Sequence, residues 1–128
     1  MLSRQKYIAT LLPIRTVGVQ GDRRTYSYAV AISCTKDPLG SSEWNDLLYF
    51  AKLIPRVCHN INRVTFAFGG PIEHPVSDVT PTMLTPIVIS TLRQADHLAN
   101  KVLNANPEAK AKLSQMPLVL IPVHFDRY

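Results

Sequence analysis

A short turn between two strand-like runs constrains the fold of this chain most. The runs Ile14–Val19 and Arg24–Ser33 are rich in residues that favour strands, and only four residues separate them. Those four include Gly21 and Asp22, a pair typical of tight primed turns. The sequence therefore predicts a β-hairpin.

The length of the turn sets the register of this hairpin. If Gly21 and Asp22 form a two-residue loop, Val17 lies opposite Tyr26. Side chains alternate between the faces of a strand, so the register also divides the hairpin into two faces. One face contains Val17, Val19, Tyr26, Tyr28 and Val30, and the other contains Thr16, Gly18, Thr25 and Ser27.

Asp22 is predicted at the tip of the hairpin among basic residues. Arg23 and Arg24 follow it, and Arg15 lies further along the first strand. Nearby arginines favour the charged form of a carboxyl group. Two interpretations remain open: Asp22 is a turn residue chosen for its backbone conformation, or it presents a carboxylate to a ligand.

Composition indicates one globular domain over residues 1–128. The chain is 46% hydrophobic and 18% charged, and it has no apolar run of about 20 residues that would span a membrane. Cys34 and Cys58 are too few for a disulfide framework, so we expect a reduced, cytosolic protein. A net charge of +5 suits a phosphate-bearing partner, but the basic residues are scattered, which disfavours nucleic acid.

The first half of the chain contains further predicted elements. We expect a short helix over residues 4–11 and a loop over residues 36–42, with Ser42 as the cap of a helix that Pro55 kinks or breaks. Residues 61–68 favour a third strand. The helix after Ser42 has an apolar stripe that should lie on the sheet. It consists of Trp44, Leu47, Leu48, Ala51, Ile54 and Cys58.

The second half contains a long loop and a second helix. Residues 69–86 are rich in proline and should be mainly loop, and residues 85–103 should be helical with Pro86 in the first turn. A polar connector over residues 104–114 and a strand over residues 118–123 should follow. The order of elements predicts an α+β two-layer sandwich, in which helices pack on one face of a small, mostly antiparallel sheet.

The amino-acid sequence of the predicted hairpin is distinctive enough to indicate a family. The string from Arg15 to Asp22, RTVGVQGD, followed by RTYSY, closely resembles the C-terminal dimerisation region of the glutamine-hydrolysing GMP synthase family. Further strings resemble the animal-type members: LIPR, CHN and NRV, then DVTPT, STLRQAD, SQMP and HFDR. The resemblance extends from about Leu11 to Arg127, and it identifies the chain as the first of two related subdomains.

The resemblance implies an α+β subdomain of an enzyme that converts XMP to GMP with ATP, magnesium and glutamine. The glutaminase domain and the ATP pyrophosphatase domain of that family have no counterpart here, so the fragment itself should contain no catalytic residue and no cofactor. Its implied partners are the other domains of the parent enzyme and XMP. Self-association is left open, because one sequence does not reveal a self-complementary patch.

The resemblance also implies two substrate-binding residues. The aspartate of the Gly-Asp turn and the glutamine of the Ser-Gln-Met-Pro string contact XMP in similar enzymes, and these are Asp22 and Gln115 here. A carboxylate accepts hydrogen bonds from ribose hydroxyls or purine N–H groups, and an amide both donates and accepts. The alternative for Gln115 is a polar loop residue that faces water.

Two functional hypotheses therefore compete. The first is an XMP-contacting and subunit-organising subdomain of a GMP synthase, and the second is an independent α+β module that binds nucleic acid. The four histidines lack the spacing of metal ligands on a shared element, so no metal site is expected.

Overall fold

The structure, a computed structural model, describes residues 7–20, 23–36, 38 and 40–125. They form two compact units: the first combines the described residues up to Val79 with those from Val123 onward, and the second is Thr80–Pro122. The prediction of a single domain stays a prediction. In chain order the elements are β1 (Tyr7–Gln20), β2 (Arg23–Cys34), α1 (Ser41–Val57), β3 (Ile61–Phe66), β4 (Asp78–Val79), α2 (Pro86–Asn104), α3 (Pro107–Lys112) and β5 (Val123–His124).

The predicted hairpin is confirmed, with its register. Strands β1 and β2 pair antiparallel, and Val17 lies opposite Tyr26. The turn residues Gly21 and Asp22 lie outside the described residues. The helix predicted for residues 4–11 is wrong over residues 7–11, which extend β1 and pair with the end of β2. Pairing along a neighbouring strand here overrides the local preference of the sequence.

Strand β1 is irregular in its middle. Leu11 lies opposite Val30 and Arg15 lies opposite Tyr28, so three residues of β1 share one partner on β2. Pro13 is the central one of the three. Proline has no N–H to donate to the strand ladder, so this irregularity accommodates it and allows pairing to resume at Arg15.

The main sheet has the order β1-β2-β3, and β2 and β3 are parallel. The α+β class is confirmed, with a mixed sheet of one antiparallel and one parallel pair. Helix α1 causes the parallel pairing, because it returns the chain to the end of the sheet from which β2 starts. A separate two-stranded antiparallel ladder joins β4 to β5.

Strand β2 supplies side chains to apolar clusters on both faces of the sheet. Val30 and Ile32 pack with Leu47 of α1 on one face, as the prediction of a helix against the sheet requires. Ala29 and Ala31 pack with Leu12 and with Val76 on the other face. The second face is therefore covered by the loop that follows β3, and Ile72 N in this loop donates to the buried Ser33 Oγ at 2.9 Å.

Helix α1 differs from its prediction at both ends. Its N-cap is Gly40 and not Ser42, because Ser41 is already helical and the Glu43 carboxylate accepts from Gly40 N at 3.4 Å. The helix is not broken at Pro55 and continues to Val57. Leu47 is its buried residue, whereas Trp44 and Leu48 of the predicted stripe are exposed.

The second unit contains α2 and α3. Helix α2 starts as predicted, with Pro86 in its first turn and Thr85 Oγ1 accepting from Val88 N at 3.3 Å. The connector predicted for residues 104–114 is wrong, since it includes helix α3. The strand predicted for residues 118–123 is also wrong, because only Val123 of that run has a strand partner, on β4.

Among the residues described here, no helix is both long enough and apolar enough to cross a membrane.

We expect Leu47→Ala to lower the free energy of unfolding by about 2–5 kcal/mol, because the truncation leaves a cavity between α1 and β2. Leu47 is only 7% exposed. Urea denaturation followed by circular dichroism measures the change. Leu98→Ala, at an exposed position of α2, is the control and should shift the value by less than about 0.5 kcal/mol. Equal effects of the two variants would contradict the assigned core.

Tyr7 gives a second test of the packing of α1 on the sheet. Its ring meets Phe50 edge to face, with 5.5 Å between centroids, and its buried hydroxyl has no hydrogen-bond partner among the described residues. Burial raises the pKa of Tyr7 above its ordinary value of 10.0, and electrostatic interactions with Asp46, Cys34 and Glu43 add to the shift.

We expect Tyr7→Phe to raise the free energy of unfolding by about 1 kcal/mol at neutral pH, because it removes an unpartnered buried hydroxyl. Because the folded state holds the phenol proton more tightly than the unfolded chain, the free energy of unfolding falls as the pH rises from 10.0 through the raised pKa of Tyr7. The variant should lose less stability above pH 10 in denaturation series. The exposed Tyr49→Phe should behave like the unmodified chain.

Candidate functional site in the hairpin arm

The end of the β1-β2 hairpin extends beyond the rest of the sheet. Strand β3 begins at Ile61, which pairs with Tyr28, so the pairs from Thr16-Ser27 to Gln20-Arg23 have no third strand beside them. We call residues 16–20 and 23–27 the hairpin arm. At about 3.4 Å per residue the arm is about 14 Å long. Its two strands end at Gln20 and Arg23.

Asn62 joins both strands of the arm at its base. Its Oδ1 accepts from Thr16 Oγ1 at 2.6 Å, and its Nδ2 donates to the carbonyl oxygen of Thr16 at 2.8 Å. The same Nδ2 lies 3.2 Å from both the carbonyl oxygen and the Oγ1 of Thr25. We call these contacts the Asn62 clamp. Asn62 is a bulge residue of β3: Ile61 pairs with Tyr28 and Arg63 pairs with Ala29, so Asn62 has no partner on β2 in the ladder. Its side chain can therefore reach the arm.

Gly18 is required by the Asn62 clamp. A Cβ atom at this position would lie 2.8 Å from Asn62 Cβ and 2.9 Å from Thr25 Oγ1, closer than real Cβ contacts. Its carbonyl oxygen accepts from Thr25 Oγ1 at 3.3 Å. Thr16, Gly18 and Thr25 thus all contact Asn62, which confirms their predicted common face.

The opposite face of the arm is basic and aromatic. The guanidinium of Arg15 lies over the ring of Tyr28, 5.6 Å from its centroid. Further out, Tyr26 is 67% exposed and faces Val17, which is 43% exposed. Arg24 is also exposed. This side of the hairpin therefore offers positive charge and an aromatic surface, from Arg15 and Tyr28 at the base of the arm to Tyr26 and Arg24 within it.

The two predicted substrate-binding residues fall in different parts of the chain. Asp22 lies outside the described residues, so its place in the site stays a prediction. Gln115 is exposed in the segment between α3 and β5, and it belongs to the second unit. A shared site for Asp22 and Gln115 stays a prediction.

Metal binding has no candidate in the part of the chain that the structure describes. No group of three or more histidine, cysteine, aspartate or glutamate side chains there is placed to hold an ion.

Asn62 is the residue that sequence reasoning overlooked. The string Asn62-Arg63-Val64 contributes to the resemblance but carries no prediction of a site. A usable signal was present, because asparagine is depleted in strands and here it interrupts a run that otherwise favours one. Its partners lie 37 and 46 residues away, so the sequence did not show which groups it meets.

The fold and the arm define a class: an α+β module with a two-stranded arm that extends beyond its sheet. The family model described as "GMP synthase C terminal domain" matches residues 3–69. The chain therefore belongs to the GMP synthase C-terminal domain family. The arm, α1 and Asn62 lie within the matched residues, whereas Gln115 lies outside them.

Individual relatives agree with the family model. A Caenorhabditis elegans protein described as a probable glutamine-hydrolysing GMP synthase is 45% identical over 93% of the chain. The glutamine-hydrolysing GMP synthase of Dictyostelium discoideum is 42% identical over 90% of it. The chain spans 17% of the length of each. A GMP synthase of Borreliella burgdorferi is 40% identical over 49% of the chain, which spans 13% of that relative.

We expect Gly18→Ala to destabilise the first unit by about 1–3 kcal/mol, because the added methyl group must displace Asn62 or Thr25. Denaturation midpoints of the chain measure the cost. Gly40→Ala adds the same methyl group where the nearest atom is 4.0 Å away, and it should cost less. If Gly18→Ala is no more costly than Gly40→Ala, the close packing of Asn62 on Gly18 is contradicted.

Proposed function

We propose that the chain is the C-terminal subdomain of a glutamine-hydrolysing GMP synthase, which converts XMP to GMP with ATP and glutamine. The observation that supports this most is the family match, which includes the whole hairpin arm. The names of the two relatives that align with nine-tenths or more of the chain add to it. Because the chain spans 17% of those relatives, the glutaminase and ATP pyrophosphatase chemistry is assigned to the rest of the parent protein.

The proposed role of this subdomain is to bind and orient XMP. Asp22, at the end of the arm, would accept hydrogen bonds from ribose hydroxyls or purine N–H groups, and Gln115 would donate and accept through its amide. Positioning of this kind accelerates a reaction by holding the reacting groups in a productive geometry. We assign no bond-making step to a residue of this chain, and magnesium and ATP would bind elsewhere in the parent enzyme.

The electrostatics of the arm support a phosphate-bearing ligand. The chain has a net charge of +5, and two arginines are exposed on this side of the hairpin, Arg24 within the arm and Arg15 just below its base. Arginine pairs with phosphate through two parallel N–H donors, so these exposed arginines favour a nucleotide over a neutral ligand. The proposal retains the cytosolic location expected from the two cysteines, and it treats the other domains of the parent as partners.

We expect Asp22→Ala in the parent enzyme to raise the KM for XMP by about 10-fold to 100-fold, the cost of losing a hydrogen bond to a charged group. Gln115→Ala should raise it by up to about 10-fold, because its hydrogen bonds are neutral. Glutamine hydrolysis should survive in both variants. Steady-state assays at varied XMP concentration measure these effects.

Asp96→Ala and Gln94→Ala, both at exposed positions of α2, are the matched controls and should leave the KM for XMP unchanged. An unchanged XMP dependence in Asp22→Ala would remove Asp22 from the site. Salt-sensitive binding of a short single-stranded RNA, without any response of the parent enzyme to XMP, would replace this proposal with the nucleic-acid-binding alternative.

A further inference from the structure

We propose that Asn62 is a positioning residue that fixes the direction of the hairpin arm and so determines where its tip meets XMP. This inference rests on the proposed function for its ligand, but the clamp itself is argued from the geometry of the arm. Asn62 does not touch the substrate in this proposal. It acts through the arm strands that it joins to β3.

The arm needs an anchor at this point. A two-stranded ribbon in water is marginally stable by itself, and its twist is larger and less constrained than that of a wider sheet. The arm loses its third strand at Tyr28, because β3 begins at Ile61. Asn62 is the next residue of β3, so it lies where the ribbon leaves the sheet.

Asn62 has the chemistry that this position requires. Its amide accepts from a hydroxyl of β1 and donates to carbonyl oxygens of both β1 and β2, through Thr16 and Thr25. Aspartate has the same shape but no N–H group, so it would leave both carbonyl oxygens without their donor. Contacts with both strands also resist a shear of one strand against the other.

A second contact from β3 reinforces the clamp. Arg63 Nη2 donates to the carbonyl oxygen of Val17 at 3.0 Å, so adjacent residues of β3 bind adjacent carbonyl groups of β1. Thr25 Oγ1 accepts from Asn62 and donates to the carbonyl oxygen of Gly18, which extends the hydrogen-bonded network one residue further toward the tip.

Small changes at the base of the arm are enlarged at its tip. A tilt of about 10° at one end of an arm about 14 Å long moves the other end by about 2 Å. A misplacement of about 1 Å is enough to impair the positioning of a substrate. Loss of the clamp should therefore weaken XMP binding even though the residues that Asn62 contacts, Thr16 and Thr25, lie several residues from Asp22 along the chain.

The test compares Asn62→Asp with two matched variants in the parent enzyme. Thr65→Val removes another hydrogen bond from β3 to the backbone of β2, from Thr65 Oγ1 to the carbonyl oxygen of Val30 at 3.2 Å, without contacting the arm. Asn100→Asp makes the same chemical change on an exposed face of α2. The readouts are the KM for XMP, kcat, the KM for ATP, and amide hydrogen exchange of residues 16–27.

We expect Asn62→Asp to raise the KM for XMP about tenfold and to accelerate amide exchange in the arm about tenfold. The KM for ATP and kcat at saturating XMP should stay within about twofold, a split that general unfolding would not produce. Thr65→Val and Asn100→Asp should change neither the KM for XMP nor exchange in the arm. If Asn62→Asp does not fold, Thr16→Val and Thr25→Val remove single contacts of the clamp and should act in the same direction by about threefold.

Unchanged amide exchange in the arm of Asn62→Asp would overturn the clamp. Faster exchange with an unchanged KM for XMP, in a parent enzyme where Asp22→Ala does raise that KM, would overturn the positioning role and leave the proposed function standing. If Asp22→Ala also leaves that KM unchanged, Asp22 is removed from the XMP site and the positioning role of Asn62 is overturned with it, while exchange in the arm still decides whether Asn62 holds the arm.

Discussion

The antiparallel pairing of β1 with β2 is the constraint on which the rest of the first unit depends. The ladder extends from Tyr7-Cys34 to Gln20-Arg23 and absorbs the irregularity at Pro13 without losing the alternation of faces. Because β2 lies between β1 and β3, its alternating side chains reach both apolar clusters. A slip of one residue would exchange these faces and would also move Thr16 and Thr25 away from Asn62.

The two ends of this ladder have different roles. At one end, α1 and the loop after β3 cover the sheet, and Val30, Leu47 and Val76 are buried there. At the other end the ladder is a two-stranded ribbon without a third strand beside it. Hydrogen bonds from Asn62 and Arg63 hold this ribbon at its base. A ribbon held in this way combines a rigid support with exposed side chains such as Val17 and Tyr26, and this suits the proposed contact with XMP.

Local sequence signals predicted much of this structure. The elements that were predicted wrongly depend on contacts between residues far apart in the chain. The Gly-Asp pair predicted the register that the strands adopt, and Thr85 with Pro86 marked the start of α2, because these effects act over a few residues. The strand over residues 7–11 and the absence of one over residues 118–122 depended on partners elsewhere in the chain. Of the candidate site, the sequence placed Asp22 at a turn and Gln115 in a loop, but it did not identify Asn62.

By itself, the sequence determined the hairpin and its two faces. Its motifs also indicated that the chain belongs to the GMP synthase C-terminal domain family. Turn geometry and side-chain alternation are local, so a single chain specifies them. Only the tertiary structure decided that the sheet is mixed, that a loop covers its second face, and that Asn62 clamps the arm. Those features join residues about 40 positions apart, and no local pattern records which distant groups will meet.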